Sequence, residues 1–284
     1  MKVSIVTTSF NQADWIGKNL ASVAKQTYED FEHIVIDPGS HDNSREVIDD
    51  FASRDKRIIR IYEPDRGQVD AINKGLNLSS GKLLTWLNSD DYYHDEHALK
   101  TVVDFYNEHS SDVVYGRGWR VDADGNKLSE AYTHPDNTDI LKTLEHSIGI
   151  LQPSLFFTKE LFEDLGGLDE AYNLQLDYEY WIRMAQAGYK FRKVNALISN
   201  ATVHADAKST GQRLAQLNEC FYLLLNKFGY VHDDWLKRYA EFFLTRQDRK
   251  VDKNITKDHS LQKVEQLLVS QLRDYLNKHY GKDS

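Results

Sequence analysis

Residues 81–92, with the sequence GKLLTWLNSDDY, are the stretch from which the fold can be inferred. Within it, residues 82–87 form a short and mostly apolar run, as is typical of a central strand in a parallel sheet. Asp90 and Asp91 follow at the carboxyl end of this strand, where open α/β sheets bind ligands. Two carboxylates there suit Mg²⁺ or Mn²⁺ carrying the phosphates of a substrate. For this motif alone, an ordinary turn in which residues 88–91 satisfy backbone groups is the alternative.

The residues before this stretch alternate between strand and helix patterns. Apolar strands are predicted at residues 3–8, 31–36 and 58–62. Apolar residues at helical spacing follow each of them, namely Ile16, Leu20 and Val23, then Val47, Ile48 and Phe51, then Val69, Ile72 and Leu76. This alternation predicts a parallel sheet with right-handed crossovers and helices on both faces.

After residue 91 the pattern changes, and antiparallel strands join the sheet. Strands are predicted at residues 112–115, 154–158 and 190–198, and a hairpin at residues 119–121 and 127–130. Helical patterns around residues 99–106, 161–165 and 178–187 lie between them. The predicted fold class is therefore α/β, with a mixed, mainly parallel central sheet and flanking helices.

The chain from about residue 210 onward contains helical patterns only. Amphipathic helices are predicted at residues 214–228, 235–244 and 261–275, so an α/β domain of residues 1–208 precedes a C-terminal helical extension of residues 209–284. A basic helix on a membrane surface is one interpretation of this extension. However, six Lys and Arg stand against five Asp and Glu from residue 251 onward. Packing against the α/β domain, or against a second copy in a homo-oligomer, is therefore favoured.

Composition argues against several classes of protein. The 284 residues carry 35 Lys and Arg against 44 Asp and Glu, and the net charge of −9 disfavours nucleic acid and anionic membranes as partners. Cys220 is the only cysteine, which excludes an internal disulfide framework and a structural zinc site made of cysteines. Neither a signal peptide nor a membrane-spanning run is recognised, so a cytoplasmic protein is expected.

Three familiar motifs are incomplete or absent. Gly75 and Gly81 resemble the start of a phosphate-binding P-loop, but five residues separate them instead of four, and Leu83 stands where Ser or Thr would bind Mg²⁺. A dinucleotide fingerprint that begins at Gly116 fails at Val121. The chain also lacks a G-x-S-x-G elbow, so a serine hydrolase of that fold is unsupported.

The positive signal is a set of polar residues at the carboxyl ends of the four predicted parallel strands. In chain order they are Thr7, Thr8 and Ser9, then Asp37, then Asp65, Gly67 and Gln68, then Asp90 and Asp91. Each group alone is an ordinary loop, but together they converge on one edge of the sheet. A nucleotide site needs hydrogen bonds for base and ribose and a metal for phosphate, and this edge offers both.

These segments, in this order and spacing, resemble the family-2 glycosyltransferases of the GT-A fold. The resemblance rests on VSIVTTSFNQADWI (3–16), FEHIVIDPGSHDNS (31–44), EPDRGQVDAINKGL (63–76) and LLTWLNSDD (83–91), and later on QPSLFF (152–157), GGLDEAYN (166–173), LDYEYWIRMAQAGYKF (176–191) and VHADAKS (203–209). It covers roughly the first 208 residues, and the ordered set is highly specific although each piece is weak. The C-terminal extension lies outside it.

The resemblance implies roles for ten residues. It implies the nucleobase and ribose pocket for Thr8, Asp37, Gln68, Asp70 and Asn73, the ribose-binding and metal-binding carboxylates for Asp90 and Asp91, and the sugar side of the donor for Gln152. Asp177 matches the general base of inverting members, and Trp181 lies on the same helix. His204 lies where many members place a histidine near the diphosphate and the metal.

Two departures from the family pattern concern the base and the metal. Many relatives have a second Asp after the position of Asp37 to contact uracil, whereas this chain has Pro38, which lacks both an N–H and a polar side chain. The family's D-x-D motif often begins with Asp where this chain has Asn88. Metal binding is therefore expected to rest more heavily on Asp91.

Two of the implied roles also have structural alternatives. His204 is one of 11 histidines, and histidines are commonly exposed or hydrogen-bonded without binding a ligand. Asp177 comes at the start of a predicted helix, where Asp is a favoured N-cap. Capping and proton transfer are compatible roles for the same carboxylate.

Together the residues and the resemblance predict a metal-dependent, inverting glycosyltransferase that uses Mn²⁺ or Mg²⁺. The expected reaction moves a sugar from a nucleoside diphosphate-sugar, UDP-linked, to a hydroxyl of a glycan or lipid-linked acceptor in surface polysaccharide or glycan biosynthesis. A peripheral position at the inner membrane face is an alternative to a fully cytoplasmic one. Two other classes stay open, namely a sugar-nucleotide-binding protein without transfer activity and a metal-dependent nucleotidyltransferase.

Overall fold

The structure, a computed structural model, describes residues 1–136, 139–205, 207, 212–247, 270 and 272–274. Its first strands are β1 (Val3–Thr8), β2 (Phe31–Ile36), β3 (Ile58–Ile61) and β4 (Leu83–Trp86). They pair in parallel in the order β3-β2-β1-β4. Every residue of β2 and β4 is buried, because helices cover both faces of this half of the sheet. The predicted parallel half is therefore confirmed.

The second half of the sheet is mixed. It contains β5 (Tyr92–Tyr93), β6 (Val113–Val121), β7 (Lys127–Glu130), β8 (Leu155–Thr158) and β9 (Phe191–Thr202). The whole order is β3-β2-β1-β4-β8-β6-β9-β5, with β7 paired to β6. β8 runs antiparallel to both of its neighbours, whereas β6 and β9 are parallel. The predicted hairpin is present as β6 and β7.

β6 differs from its prediction because it is one continuous strand rather than two. Gly116 and Gly118 interrupt the apolar pattern at its centre, which is why sequence reasoning divided it. A Cβ at Gly116 would lie 2.3 Å from the side chain of Ile198, and one at Gly118 would lie 2.4 Å from the carbonyl oxygen of Ser199. The two glycines therefore allow β9 to approach β6 closely.

The helices are α1 (Ala13–Ala24), α2 (Ser44–Arg54), α3 (Gln68–Leu78), α4 (Ala98–His109), α5 (Ile140–His146), α6 (Lys159–Leu165), α7 (Leu176–Gln186), α8 (Arg213–Phe228) and α9 (Asp233–Gln247). The helical spacing predicted all of them except α5, which has seven residues and buries only Leu144. In α1, Ile16, Leu20 and Val23 are buried, as their spacing indicated. α6 ends at Gly166, whose φ of 74° suits glycine.

Contacts divide the chain into two compact units. The first comprises Met1–Ile140 and Gly149–Gly211, and the second comprises Leu141–Ile148 and Gln212–Ser284. The predicted boundary after residue 208 did not assign residues 141–148 to the C-terminal part. In the second unit, α8 buries an apolar stripe that includes Leu217, Phe221 and Leu224.

The third helix predicted for the C-terminal extension, at residues 261–275, lies almost entirely outside the described residues. Ser270 and residues 272–274 are helical. Among the described residues, no helix combines the length and the apolar character needed to cross a bilayer. The predicted homo-oligomer through these helices stays a prediction.

Candidate active site

The turn that follows β4 is held from two sides by other elements. Asn19 of α1, which is fully buried, donates its amide to the carbonyl oxygens of Asn88 at 2.8 Å and Asp91 at 3.0 Å. From β9, the Thr202 hydroxyl donates to the carbonyl oxygen of Asp90 at 2.5 Å. The turn is therefore fixed by tertiary hydrogen bonds as well as by its own bond from the N–H of Asp91 to the carbonyl oxygen of Asn88.

The two adjacent carboxylates of this turn have different surroundings. Asp91 is only 6% exposed, and its carboxylate accepts hydrogen bonds from the N–H of Thr202 at 2.9 Å and the amide of Asn88 at 3.3 Å. Burial, and then the charge of Asp90, raise the pKa of Asp91 well above its ordinary value. The Asp90 side chain is 23% exposed, and its Oδ2 lies 3.0 Å from Nε2 of His204. Asp90, rather than Asp91, is the carboxylate that pairs with the predicted histidine.

His204 is held in one orientation by an aromatic neighbour. Its ring stacks on Trp15 of α1, with centroids 4.3 Å apart and an angle of 25° between the planes. The side chain is 8% exposed, and Nε2 is directed at Asp90. The buried Nδ1 has no hydrogen-bond partner among the described residues. His204 is therefore not an exposed histidine, while the alternative of a histidine that is hydrogen-bonded without binding a ligand stays open.

Asn88 connects two residues that the sequence predicted from separate motifs. Its Oδ1 accepts a hydrogen bond from Nε2 of Gln68 at 3.2 Å, and its Nδ2 donates to Oε1 of Gln152 at 3.2 Å. Gln152 in turn donates to the carbonyl oxygen of Trp86 at the end of β4, at 2.7 Å. A carboxylate could accept from Gln68 but could not donate to Gln152. The hydrogen bonds therefore explain why position 88 has Asn rather than Asp.

Asp37 follows β2 and shapes its own loop. The buried carboxylate accepts hydrogen bonds from the N–H groups of Gly39 and Ser40, the Ser40 hydroxyl and the Arg45 guanidinium, at 2.6 to 3.0 Å. Burial alone would raise the pKa of Asp37, but these hydrogen bonds outweigh it, so the pKa is lowered. Its acceptor positions are thus already used within the loop. Thr8 ends β1 opposite Ile36 and is half-buried.

Asp70 and Asn73 use their side chains to anchor α3. Asp70 forms ion pairs with Arg66 at 3.0 Å and Lys74 at 3.1 Å. Asn73 donates to the carbonyl oxygen of Leu168 and accepts from its N–H, both at 2.8 Å. These bonds join α3 to its preceding loop and to the segment after α6. They do not connect Asp70 or Asn73 to Asp90 or to His204.

Asp177 is the second residue of α7, and Gln175 is the N-cap. The alternative that Asp177 caps this helix is therefore wrong. Its side chain is half-buried and accepts a hydrogen bond from the N–H of Tyr178 at 2.8 Å. The helix is anchored in the core by Tyr178 and Trp181, both with 0% exposure. A carboxylate in the first turn also suits the positive end of the helix dipole.

Asp90 and His204 fit a divalent cation. Adjacent ligands of an octahedral ion, each about 2.1 Å from it, lie about 3.0 Å apart. The carboxylate oxygen of Asp90 and Nε2 of His204 are separated by that distance. Mg²⁺ and Mn²⁺ sites commonly use few protein ligands and complete their shell with phosphate and water. The residues present therefore suit a metal that carries a diphosphate.

Sequence reasoning missed three residues that build this site. They are Trp15, Asn19 and Thr202. Asn19 had a signal, because it is an amide placed between the apolar residues Ile16 and Leu20 on the buried side of α1. Trp15 and Thr202 had none, since stacking on His204 and bonding to Asp90 depend on how distant segments meet.

Comparison with known proteins identifies relatives. A protein-family model described as Glycosyl transferase family 2 matches residues 4–166. The chain is 25% identical to the hyaluronan synthase of Pasteurella multocida over 261 residues, which are 90% of this chain and 26% of that protein. The chain spans between 21% and 26% of the length of the first curated relatives that it matches.

Solved structures resemble the whole chain. S. aureus TarS 1–349 in complex with UDP-GlcNAc has a TM-score of 0.66 and 17% identity, and the alignment covers 98% of this chain and 81% of that one. The mannosyltransferase PcManGT from Pyrobaculum calidifontis, in complex with GDP-Man and Mn²⁺, has a TM-score of 0.56 and 17% identity, with 99% and 76% covered. At such identities the likeness shows the fold alone, and it confirms the predicted α/β class with a mixed, mainly parallel sheet.

Proposed function

The chain belongs to glycosyl transferase family 2 and has the GT-A fold, and from that premise we propose that it transfers a sugar from a nucleoside diphosphate-sugar to an acceptor hydroxyl with inversion. The observation that carries this proposal is the pair formed by Asp90 and His204 at the carboxyl end of β4. Asn88, two residues before Asp90, is hydrogen-bonded to both Gln68 and Gln152. Candidate metal ligands and neutral hydrogen-bonding groups that meet around one turn suit a charged diphosphate joined to a ribose and a sugar.

We propose a UDP-linked donor and a glycan or lipid-linked acceptor. TarS, which resembles this chain throughout, was solved with UDP-GlcNAc, and the hyaluronan synthase is a relative named for a polysaccharide. Gln68 would contact the ribose side of the donor and Gln152 the sugar side. Because the carboxylate of Asp37 is already bonded to its loop, its role would be to position that loop beside the base. Thr8 would line the same pocket from β1.

We propose Asp90 and His204 as the protein ligands of the metal, and this revises the expectation that rested on Asp91. The buried Asp91 carboxylate, bonded to Thr202 and Asn88, would instead hold the turn. A site that combines imidazole nitrogen with carboxylate oxygen favours Mn²⁺ over Mg²⁺. When bound, the cation supplies positive charge that stabilises the departing diphosphate.

Asp177 would accept the proton of the acceptor hydroxyl. In a single displacement, the acceptor oxygen forms a bond to the anomeric carbon while the bond from that carbon to the diphosphate oxygen breaks, so the configuration inverts. The proton passes from the hydroxyl to the Asp177 carboxylate, and the nucleoside diphosphate leaves with the bonding electrons. The anchored first turn of α7 would hold that carboxylate in place.

The proposal is tested by measuring free nucleoside diphosphate released from a panel of nucleotide-sugars, with and without Mn²⁺. Wild type is expected to turn over a UDP-sugar only with the metal. His204→Ala and Asp90→Asn are expected to lose about 10- to 100-fold of that turnover, since each removes a ligand. His97→Ala is the matched control, because His97 is 58% exposed and bonds only to residues outside this turn. Turnover that is equal in all variants, or independent of metal, would falsify the assignment.

A further inference from the structure

A second group of side chains that could bind a metal lies in the second compact unit. This unit comprises Leu141–Ile148 and Gln212–Ser284 and is called the C-terminal unit below. His146, His232 and Asp234 offer ligand atoms that all lie within 4.8 Å of one another, and they are the only such group of three in the part of the chain that the structure describes. His146 ends α5, His232 precedes α9, and Asp234 is the second residue of α9. The proposed sugar transfer uses none of them.

The two distances from Asp234 to the histidines suit a tetrahedral metal site. Oδ2 of Asp234 lies 3.3 Å from Nδ1 of His146 and 3.5 Å from Nδ1 of His232. The centroids of the two imidazole rings are 3.8 Å apart. Around a zinc ion with ligands at about 2.0 to 2.1 Å, adjacent ligand atoms are about 3.3 to 3.4 Å apart. Oδ2 of Asp234 is therefore at ligand spacing from both imidazoles, whereas the two rings would have to move apart to bind one ion, because imidazoles that share a zinc ion keep their centroids about 5 Å apart.

Two hydrogen bonds hold the three side chains together without an ion. Nδ1 of His146 is hydrogen-bonded to Oδ2 of Asp234 at 3.3 Å, and Nδ1 of His232 accepts a hydrogen bond from the N–H of Asp234 at 3.2 Å. The second bond uses the lone pair of His232 Nδ1, so an ion bound at this nitrogen would replace that bond. The same nitrogen lies 3.5 Å from Oδ2 of Asp234, which is a spacing that two ligands of one ion can have.

The surrounding charges favour a cation as well. Glu145 is adjacent to His146, and its carboxylate accepts a hydrogen bond from the hydroxyl of Tyr230. Asp233 precedes Asp234 and forms an ion pair with Arg273, which offsets part of the positive charge that Arg273 places near His232. The carboxylates of Glu145 and Asp234 thus place negative charge beside two imidazoles.

We propose that His146, His232 and Asp234 bind one divalent transition-metal ion, with Zn²⁺ the best match. Two imidazoles and a carboxylate suit Zn²⁺, whereas Mg²⁺ and Ca²⁺ prefer sites made of oxygen atoms alone. The three side chains are 36%, 29% and 56% exposed, so the ion reaches them from solvent and water completes its shell. The ion joins residue 146 to residues 232–234, which are far apart in sequence, and thereby stabilises the C-terminal unit.

The test is calorimetric titration of Zn²⁺ into the full chain. It is made in the Asp90→Asn, His204→Ala background, so that the candidate active site does not contribute. One saturable binding event is expected, together with a rise in Tm of about 5 °C at 100 times the dissociation constant. His146→Ala and Asp234→Ala are expected to weaken Zn²⁺ binding at least about tenfold. His97→Ala, an exposed histidine outside the cluster, is expected to bind as its parent does.

His146→Cys separates loss of a ligand from loss of structure. Cysteine is itself a zinc ligand, so His146→Cys is expected to retain binding that His146→Ala loses, even if both variants are less stable without metal. His232→Ala is less informative, because it also removes the acceptor for the N–H of Asp234. Absence of saturable Zn²⁺ binding, or equal binding by the parent and His146→Ala, would overturn the site. Neither result bears on the proposed sugar transfer, which does not depend on this cluster.

Discussion

At the scale of single residues, Asp90 and Asp91 are neighbours in sequence that lie in different environments. The Asp91 carboxylate is buried and accepts the backbone N–H of Thr202, whereas Asp90 is partly exposed and faces His204. Asp91→Ala is expected to lower the free energy of unfolding by about 1 to 3 kcal/mol, because the buried N–H of Thr202 loses its acceptor. Thermal denaturation measures this difference.

The control for that prediction is Asp90→Ala. It should leave the free energy of unfolding within about 0.5 kcal/mol of wild type, because its side chain bonds no buried backbone group. If Asp91→Ala is as stable as wild type and only its response to Mn²⁺ changes, then Asp91 is the metal ligand and the assignment to Asp90 is wrong.

Asp177, the proposed proton acceptor, gives a second prediction at the scale of single residues. Asp177→Asn keeps the size of the side chain and its hydrogen bond to Tyr178, but it cannot accept a proton. Transfer to the acceptor is expected to fall by about 100-fold or more, while calorimetry shows nearly unchanged binding of the sugar donor and Tm stays the same. Glu160→Gln is the matched control, since Glu160 is also an acidic residue in a first helical turn, that of α6.

Two results would contradict the role of Asp177. If binding of the sugar donor is lost together with turnover, the carboxylate belongs to the donor or metal site instead. If turnover survives, another residue accepts the proton. Equal losses in Asp177→Asn and Glu160→Gln would indicate a general effect of charge at helix ends rather than proton transfer.

At the scale of elements, two helical glycines have opposite expected effects. Gly75 of α3 faces β1 so closely that a Cβ would lie 2.3 Å from the side chain of Val6. Gly17 of α1 has its nearest neighbour, Val47, at 3.7 Å, which is an ordinary contact. Gly75→Ala is expected to destabilise by about 1 to 3 kcal/mol through overpacking, and Gly17→Ala to stabilise by about 0.5 to 1 kcal/mol through helix propensity.

Urea denaturation of the two variants measures the change in the free energy of unfolding and its sign in each case. Each substitution adds one methyl group to a helix of the same unit, so each serves as the control for the other. A stabilising Gly75→Ala would show that α3 can move away from β1 at little cost. The close contact of these two elements would then not be required for the fold.

Glu32 joins the beginnings of three parallel strands, β1, β2 and β4. Its hydrogen bonds give a prediction for the dependence of stability on pH. Glu32 of β2 accepts hydrogen bonds from Lys2, Ser4 and Ser80, at 2.5 to 3.0 Å. Burial alone would raise its pKa, but these bonds outweigh it and lower the pKa from 4.5 to about 2. A lowered pKa stabilises the fold above pH 4.5, and this contribution is lost as the pH falls towards 2.

Glu32→Gln tests this account. In wild type, the free energy of unfolding is expected to fall between pH 4.5 and 2 by an amount that includes about 2 to 3 kcal/mol from this carboxylate, and Tm falls with it. The variant should be less stable at neutral pH and should lose less on acidification. Parallel curves of Tm against pH for the two proteins would contradict the prediction.

At the scale of the whole molecule, the chain continues past the α/β unit into helices whose apolar faces must be covered. Leu144 is fully buried, and its segment, Leu141–Ile148, belongs to the same unit as Gln212–Ser284. Ending the chain after Ala207 removes the rest of that unit. The truncated protein is therefore expected to aggregate or to lose an oligomer, as measured by size-exclusion chromatography.

The control is a chain that ends after Gln247 and keeps α8 and α9. It is expected to stay soluble, because the described apolar stripe of α8 is retained together with Leu144. A chain ending after Ala207 that stays monomeric and active, and loses only its binding to liposomes, would favour the membrane interpretation of the extension.

The sequence by itself determined the class of the fold, and it predicted the edge of the sheet at which the candidate site lies. The apolar runs of β1, β2 and β4 and the helical spacing in α1 to α3 are local patterns, and the carboxyl ends of such strands meet at one edge whatever the loops do. Gln68 and Asp90 were predicted as site residues in this way, whereas Gln152 and His204 were predicted from the family resemblance. β6 was divided in the prediction because its glycines have meaning only beside β9.

Only the tertiary structure decided what each of these side chains contacts. Asp90 and Asp91 are the same residue type at consecutive positions, and their environments differ because Thr202 and His204 come from more than 100 residues away. Asn73 and Asp70 have the sequence context of a ligand pocket, yet their partners are a backbone segment and two basic residues. The cluster of His146, His232 and Asp234 combines two segments that no local pattern relates. Hydrogen bonds and burial depend on such distant contacts, and local periodicity does not encode them.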